Sequence, residues 1–139
     1  MTTVTAYAAA TDVQMLLETV SGTGLTLSTA SKPTLAQAEG FIDQVAAEVN
    51  AVLKAAGYSV PVTGPNDLYM LKRYVSQKAA AMTYHAAYGG FGDVPARVQQ
   101  WEDEYAAFLA RIADKTQGLV DVSPARGRMG VVYVSRYTG

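Results

Sequence analysis

The 139-residue sequence predicts an all-α protein, a small bundle of about four helices with a C-terminal extended, strand-like tail. Three observations carry that prediction. There are 23 alanines against ten leucines and three phenylalanines, a mix that favours closely spaced helices over a sheet of bulky β-branched and aromatic side chains. Apolar residues recur at three- and four-residue spacings in four separate windows. Glycine and proline punctuate the gaps between those windows. Half of the residues are apolar and 17% are charged, which is enough for one sizeable core in one domain.

Residues 1–10 carry no charge and no periodicity, so they read as a flexible or docked arm. A short first helix follows. Thr11 or Asp12 is the candidate cap, and Val13, Leu16, Leu17 and Val20 build one apolar face. Ser21-Gly22-Thr23-Gly24 ends it, and residues 25–32 form a linker with room for one extended stretch.

The second helix opens at the capping-box pattern Thr34-Leu35-Ala36-Gln37, directly after Pro33. Its stripe is Leu35, Ala38, Ile42, Val45, Val49, Val52 and Ala56, with Glu39, Asp43, Glu48 and Lys54 off it. Gly57 stands where a left-handed C-terminal residue is needed, and residues 58–66 make a loop with two prolines.

The third helix is predicted from about Asp67 to Tyr88. One stripe is Leu68, Leu71, Val75, Ala79, Met82 and Ala86; a second is Tyr74, Ala81, Tyr84 and Tyr88. Two apolar faces, with Ala79-Ala80-Ala81 permitting close approach, predict a central position. After the Gly89-Gly90-Phe91-Gly92 break, the fourth helix starts with Pro95 as its first residue. Val98, Trp101, Tyr105, Phe108 and Ile112 form its stripe, and Gly118 is expected to close it.

The tail has a different character. Residues 1–121 hold eight Lys/Arg against all twelve Asp/Glu, a balance of −4, while residues 122–139 hold three Arg and no acid, a balance of +3. The first span reads as the helical body and the second as a docking extension. Gly127 and Gly130 bracket Arg128-Met129, and Val131-Val132-Tyr133-Val134 is β-prone. A lone strand-like run with Tyr133 and Tyr137 suits the sheet edge of a partner, and the competing reading folds it back onto its own helices. The candidate docking residues are Arg126, Arg128, Val131, Val132, Tyr133, Val134, Arg136 and Tyr137.

Catalytic chemistry finds no constellation. Cysteine is absent, which excludes disulfides, thiolate metal sites and a cysteine nucleophile. A single histidine, His85, rules out a multi-histidine metal site and reads as structural. Glu102, Asp103 and Glu104 are consecutive, so in a helix they point about 100° apart and read as a solvated face complementing the helix dipole. Gly89-Gly90-Phe91-Gly92 lacks both the GxGxxG spacing and a GK[ST] ending, so a turn is the better reading. No enzyme, catalytic residue, metal or cofactor is expected.

Lys72, Arg73 and Lys78 are the one basic cluster of the body and the candidates for a surface facing DNA phosphates; the alternative is an ordinary solvated helix face. No stretch reaches the ~18 apolar residues of a membrane helix, and the start lacks the charge and apolar run of a signal peptide. A protein made and kept in the cytoplasm, without a membrane partner, is the expectation.

The run Lys32-Pro33-Thr34-Leu35-Ala36-Gln37-Ala38-Glu39-Gly40-Phe41-Ile42-Asp43 continues through Val49-Asn50-Ala51-Val52-Leu53 to Ala56-Gly57-Tyr58-Ser59-Val60-Pro61. It resembles tailed-phage head–tail connector proteins, also called head-completion or adaptor proteins. The order of short helix, linker, long helix ending in Gly-Tyr-x-x-Pro, Ala/Tyr-rich helix and acidic aromatic helix is similar over roughly residues 10–120. The resemblance implies a virion protein of the head–tail junction, made in the host cytoplasm. It implies a ring, typically of twelve copies, seated on the portal protein. Such a ring extends the channel for genomic double-stranded DNA, without sequence-specific binding, and receives a downstream neck, stopper or tail protein. It also implies a C-terminal segment reaching to the portal or a neighbouring subunit. The alternative is a nucleic-acid-binding packaging component such as a small terminase subunit, which the acidic body and the lack of a clear helix-turn-helix disfavour.

Overall fold

The computed structural model describes residues 7–20, 26–88, 94–115 and 118–119, and all regular structure within them is helical. Four helices follow in order: α1 Ala10–Glu18, α2 Leu35–Ala55, α3 Pro65–Tyr88 and α4 Ala96–Ala113.

Helix α1 begins two residues before Asp12, and its N-cap is Ala9 rather than Thr11 or Asp12. Alanine has no capping oxygen. The Asp12 carboxylate does that work from three residues on, accepting from the Ala9 backbone N–H at 2.8 Å. Val13 and Leu17 are fully buried, and Val20 is buried just beyond the helix end. Ahead of α1, Tyr7 is docked. Its hydroxyl donates to Asn50 Oδ1 on α2 and accepts from Val62 N–H at 3.0 Å. Burial pushes the Tyr7 phenol above its ordinary pKa, against the lowering effect of those two bonds.

Residues 26–33 contain bends rather than an extended strand. Ser28 and Ser31 bond to each other, and the Ser28 carbonyl accepts the Leu35 N–H at 2.8 Å, an otherwise unpaired group of the first turn of α2. The capping box is present as the sequence predicts. Gln37 N–H donates to Thr34 Oγ1 at 3.2 Å, and Thr34 N–H donates to Gln37 Oε1 at 2.9 Å. At the other end Gly57 has φ 102°, Tyr58 N–H reaches Leu53 C=O, and Gly57 N–H reaches Lys54 C=O, both at 3.0 Å. The buried face of α2 is Ala38, Ile42, Val45, Ala46, Val49 and Leu53. Leu35, Val52 and Ala56 are only half-buried, so the helix is rotated slightly from the predicted stripe.

Helix α3 starts at Pro65, two residues early, with a proline in the first turn where its missing N–H costs nothing. It is central, packing against α1, α2 and α4, whereas α1 and α4 do not pack on each other. Leu71, Val75, Ala79, Ala80 and Ala81 have no exposed surface, so the three alanines let neighbouring helices close in. Helix α4 runs antiparallel to α3 and buries the predicted set of Val98, Trp101, Tyr105, Phe108 and Ile112. Phe108 stacks on Tyr74 with ring centres 4.3 Å apart and planes 9° from parallel.

The ends of α4 differ from expectation. Pro95 is the N-cap rather than the first helical residue, and the helix stops at Ala113, with Lys115 at φ 62°, well before Gly118. Gly118 has another role: a Cβ there would stand 2.5 Å from the Tyr58 hydroxyl, which accepts the Leu119 N–H at 3.3 Å. The chain leaving α4 is thereby tied to the end of α2.

Candidate docking surface

The basic residues of α3 are held by acids of neighbouring helices. Lys72 Nζ lies 3.4 Å from Asp12 Oδ1 on α1, and Arg73 Nη2 lies 3.4 Å from Glu104 Oε1 on α4. Lys78 Nζ is 3.9 Å from Glu102 Oε2, which also stands 3.5 Å from His85 Nε2. Such half-exposed pairs are worth about 0–1 kcal/mol each and weaken with salt. Their main effect is directional. Lys72 leans towards α1, Arg73 and Lys78 towards α4, so a phosphate meeting this cluster competes with three carboxylates.

The acidic triplet is only partly a solvated face. Asp103 is exposed, while Glu102 and Glu104 are half-buried against α3. Because α4 starts at Ala96, the triplet lies beyond its first turn, where dipole compensation fades. The Gln100 amide, donating to Glu104 at 2.8 Å, holds that carboxyl below its ordinary pKa; partial burial opposes this, and Gln77 and Arg73 add to the lowering. Deeper in, the Tyr105 hydroxyl donates to Glu48 of α2. Burial first, then this carboxylate, drive the Tyr105 phenol far above its usual pKa.

Between α1 and α3 lies a groove of about 260 Å³, lined by Asp12, Met15, Leu16, Tyr69, Lys72, Arg73, Ser76 and Gln77. Met15 and Tyr69 on its rim are 65% and 78% exposed, the two most exposed large apolar side chains of the described residues. Ser76 is only 4% exposed, and its hydroxyl has no hydrogen-bond partner among the described residues. The Gln77 amide bonds Glu104 while its buried Oε1 is unpartnered. Only the N–H₂ end can face a carboxylate, so the amide orientation is fixed. Both polar atoms are buried beneath the groove, so what it presents outward is the apolar rim of Met15 and Tyr69 together with the charged Asp12, Lys72 and Arg73.

A second, wider groove of about 670 Å³ runs beside the first half of α2, lined by Lys32, Pro33, Thr34, Gln37, Gly40, Phe41, Gln44 and Ala86. A Cβ placed on Gly40 would meet nothing within 4 Å, so no contact inside the fold demands glycine there.

The candidate docking residues Arg126, Arg128, Val131, Val132, Tyr133, Val134, Arg136 and Tyr137 lie outside the described residues, as does Gly89-Gly90-Phe91-Gly92. Sequence reasoning passed over Met15, Tyr69, Ser76 and Gln77. The available signal was that Met15 and Tyr69 are large apolar residues standing off every helical stripe. Among the described residues no three His, Asp or Glu side chains gather as a metal site, and no helix is long and apolar enough to cross a membrane. No family model, curated protein or solved structure matches the chain.

Proposed function

We propose that the protein is a structural head–tail adaptor, assembling as a ring on a portal, extending its DNA channel and joining the capsid to the neck or tail of a virion. The observation that carries the reading is the helix order. A short α1, a long α2 ending in Gly57-Tyr58-Ser59-Val60-Pro61, a central Ala/Tyr-rich α3 and an acidic aromatic α4 follow one another as in the connector proteins that the sequence resembles. The exposed apolar rim of the α1–α3 groove supports it, since a subunit built for assembly keeps apolar surface for its neighbours. Arg126, Arg128 and the Val131–Val134 run then serve attachment, with ring avidity offsetting the cost of ordering each tail. Lys72, Arg73 and Lys78 remain the candidates for facing the channel, in a sequence-independent role.

Deletion of residues 122–139 tests the reading. The core residues of the described body all lie between Tyr7 and Leu119, so the truncated chain should keep its circular dichroism and melting temperature. It should lose co-sedimentation with the portal protein that the full chain retains. Normal attachment by the truncated chain would remove the tail from the interface. Tight, salt-dependent DNA binding by the full chain, in place of portal binding, would favour a packaging component.

A further inference from the structure

We propose that the groove between α1 and α3 is a docking site for an acidic segment of a partner protein, one that seats an apolar side chain between Met15 and Tyr69 and sets carboxylates against Lys72 and Arg73. The proposal stands on the groove alone and does not depend on the ring reading. It gives Lys72 and Arg73 a protein ligand in place of channel DNA.

The apolar part is open. Met15 of α1 and Tyr69 of α3 are both largely exposed, and the half-buried Leu16 adds to the lining. At about 260 Å³ the groove is larger than the ~150 Å³ that suffices for a benzene ring in an apolar cavity, so a leucine or phenylalanine side chain fits.

The charged part faces outward. Tyr69, Lys72 and Arg73 stand at i, i+3 and i+4 and so share one face of α3. Both cations are paired, but the pairs are unequal. Lys72 and Arg73 keep 48% and 61% of their side-chain surface exposed, whereas Asp12 and Glu104 keep only 20% and 29%. Each carboxylate also has a partner within its own helix or cap. Asp12 Oδ2 accepts the Ala9 N–H at 2.8 Å, leaving Oδ1 for Lys72. Glu104 Oε2 accepts from the Gln100 amide at 2.8 Å, leaving Oε1 for Arg73. The acids therefore stay satisfied when the cations turn to a ligand, and such exposed pairs are cheap to exchange. Glu18, the exposed carboxylate of α1, bonds Gln14 and does not line the groove.

That combination selects the occupant. An apolar anchor beside carboxylates is the chemistry of an acidic amphipathic segment, and a carboxylate meets the Arg73 guanidinium in a two-pronged contact. Residues 122–139, with three Arg and no acid, carry the wrong sign. A nucleic-acid backbone carries the right sign but leaves the apolar gap unfilled, and two cations beside Asp12 and Glu104 are few for a chain of phosphates.

The test presents the immobilised full chain to a random peptide library, with counter-selection on the Tyr69→Ser/Arg73→Gln variant. Tyr69 is largely exposed and Arg73→Gln leaves Glu104 its Gln100 partner, so both substitutions should preserve the helical circular dichroism. The expected result is a consensus that joins leucine or phenylalanine to aspartate or glutamate. A selected peptide, synthesised with a fluorescent label, should raise anisotropy on binding, less so as salt is added. Its affinity should fall at least tenfold for Tyr69→Ser and for Arg73→Gln separately, and binding should be lost when its acids are replaced by lysine. No groove-dependent peptide, a basic or uncharged consensus, or an affinity indifferent to either substitution would overturn the proposal. Displacement of the peptide by a DNA oligonucleotide, or self-association of the full chain that Tyr69→Ser abolishes, would overturn it too, giving the groove to nucleic acid or to a second copy.

Discussion

Replacing Phe108 by alanine tests the packing on which the bundle depends. Phe108 has no exposed surface, belongs to the apolar stripe of α4 and lies flat on Tyr74 of α3 with ring centres 4.3 Å apart. Removing a fully buried phenylalanine costs about 3–5 kcal/mol in transfer and cavity terms. The face-to-face pair contributes about 0.5–1.5 kcal/mol within that range. Total stability for a domain is only about 5–15 kcal/mol, so the variant should be close to marginal. Urea unfolding followed by circular dichroism reads the loss: with a slope of about 1.5 kcal/mol/M, the midpoint should fall by roughly 2–3 M. Phe108→Leu keeps most of the volume and should lose less than about 1.5 kcal/mol, which keeps the comparison measurable if the alanine variant does not fold. A loss below about 0.5 kcal/mol for Phe108→Ala would mean that this side chain does not sit in the interface between α3 and α4, and the packing described above would be wrong.

Two further outcomes follow from individual side chains. Gly40→Ala should stabilise the protein by about 0.5–1 kcal/mol, because the new methyl has open space around it and glycine is a poor mid-helix residue; a destabilisation in the same urea assay would show that the space is not open. Tyr105 holds its proton more tightly in the fold than its ordinary value of 10.0, so its stabilising contribution is whole below pH 10 and is lost as the pH rises beyond it. Urea midpoints measured between pH 8 and 11 should therefore fall more steeply in the wild type than in Tyr105→Phe, and parallel curves would contradict the placement of this hydroxyl against Glu48.

The parts of the fold legible in the sequence are those governed by nearest neighbours along a helix. Val98, Trp101, Tyr105, Phe108 and Ile112 were readable because they form one narrow apolar stripe at helical spacing, and that stripe faces the groove between α2 and α3. The ends of α2 were readable because Thr34, Gln37 and Gly57 act within four residues of themselves. Where tertiary placement decides, the pattern fell silent. Local substitutes escaped it too: α1 is capped at Ala9, whose N–H the Asp12 carboxylate accepts, and α4 stops at Ala113, with Lys115 just beyond it in the left-handed conformation that Gly118 was expected to supply. The basic cluster looked like three free cations because Asp12, Glu102 and Glu104 are remote in sequence and adjacent only after packing. Ser76 and Gln77 resemble any polar helical residues until α1 is laid beside them. The docking surface is thus a product of how two helices meet, and no local spacing encodes it.

The central claim is that this chain forms a ring on a portal. Electron microscopy of the purified protein mixed with the portal protein tests it most directly. The account predicts an added annular layer coaxial with the portal, of matching symmetry, with the helical bodies side by side. Portal particles unchanged by the mixture, beside free protein without ring order, would contradict it.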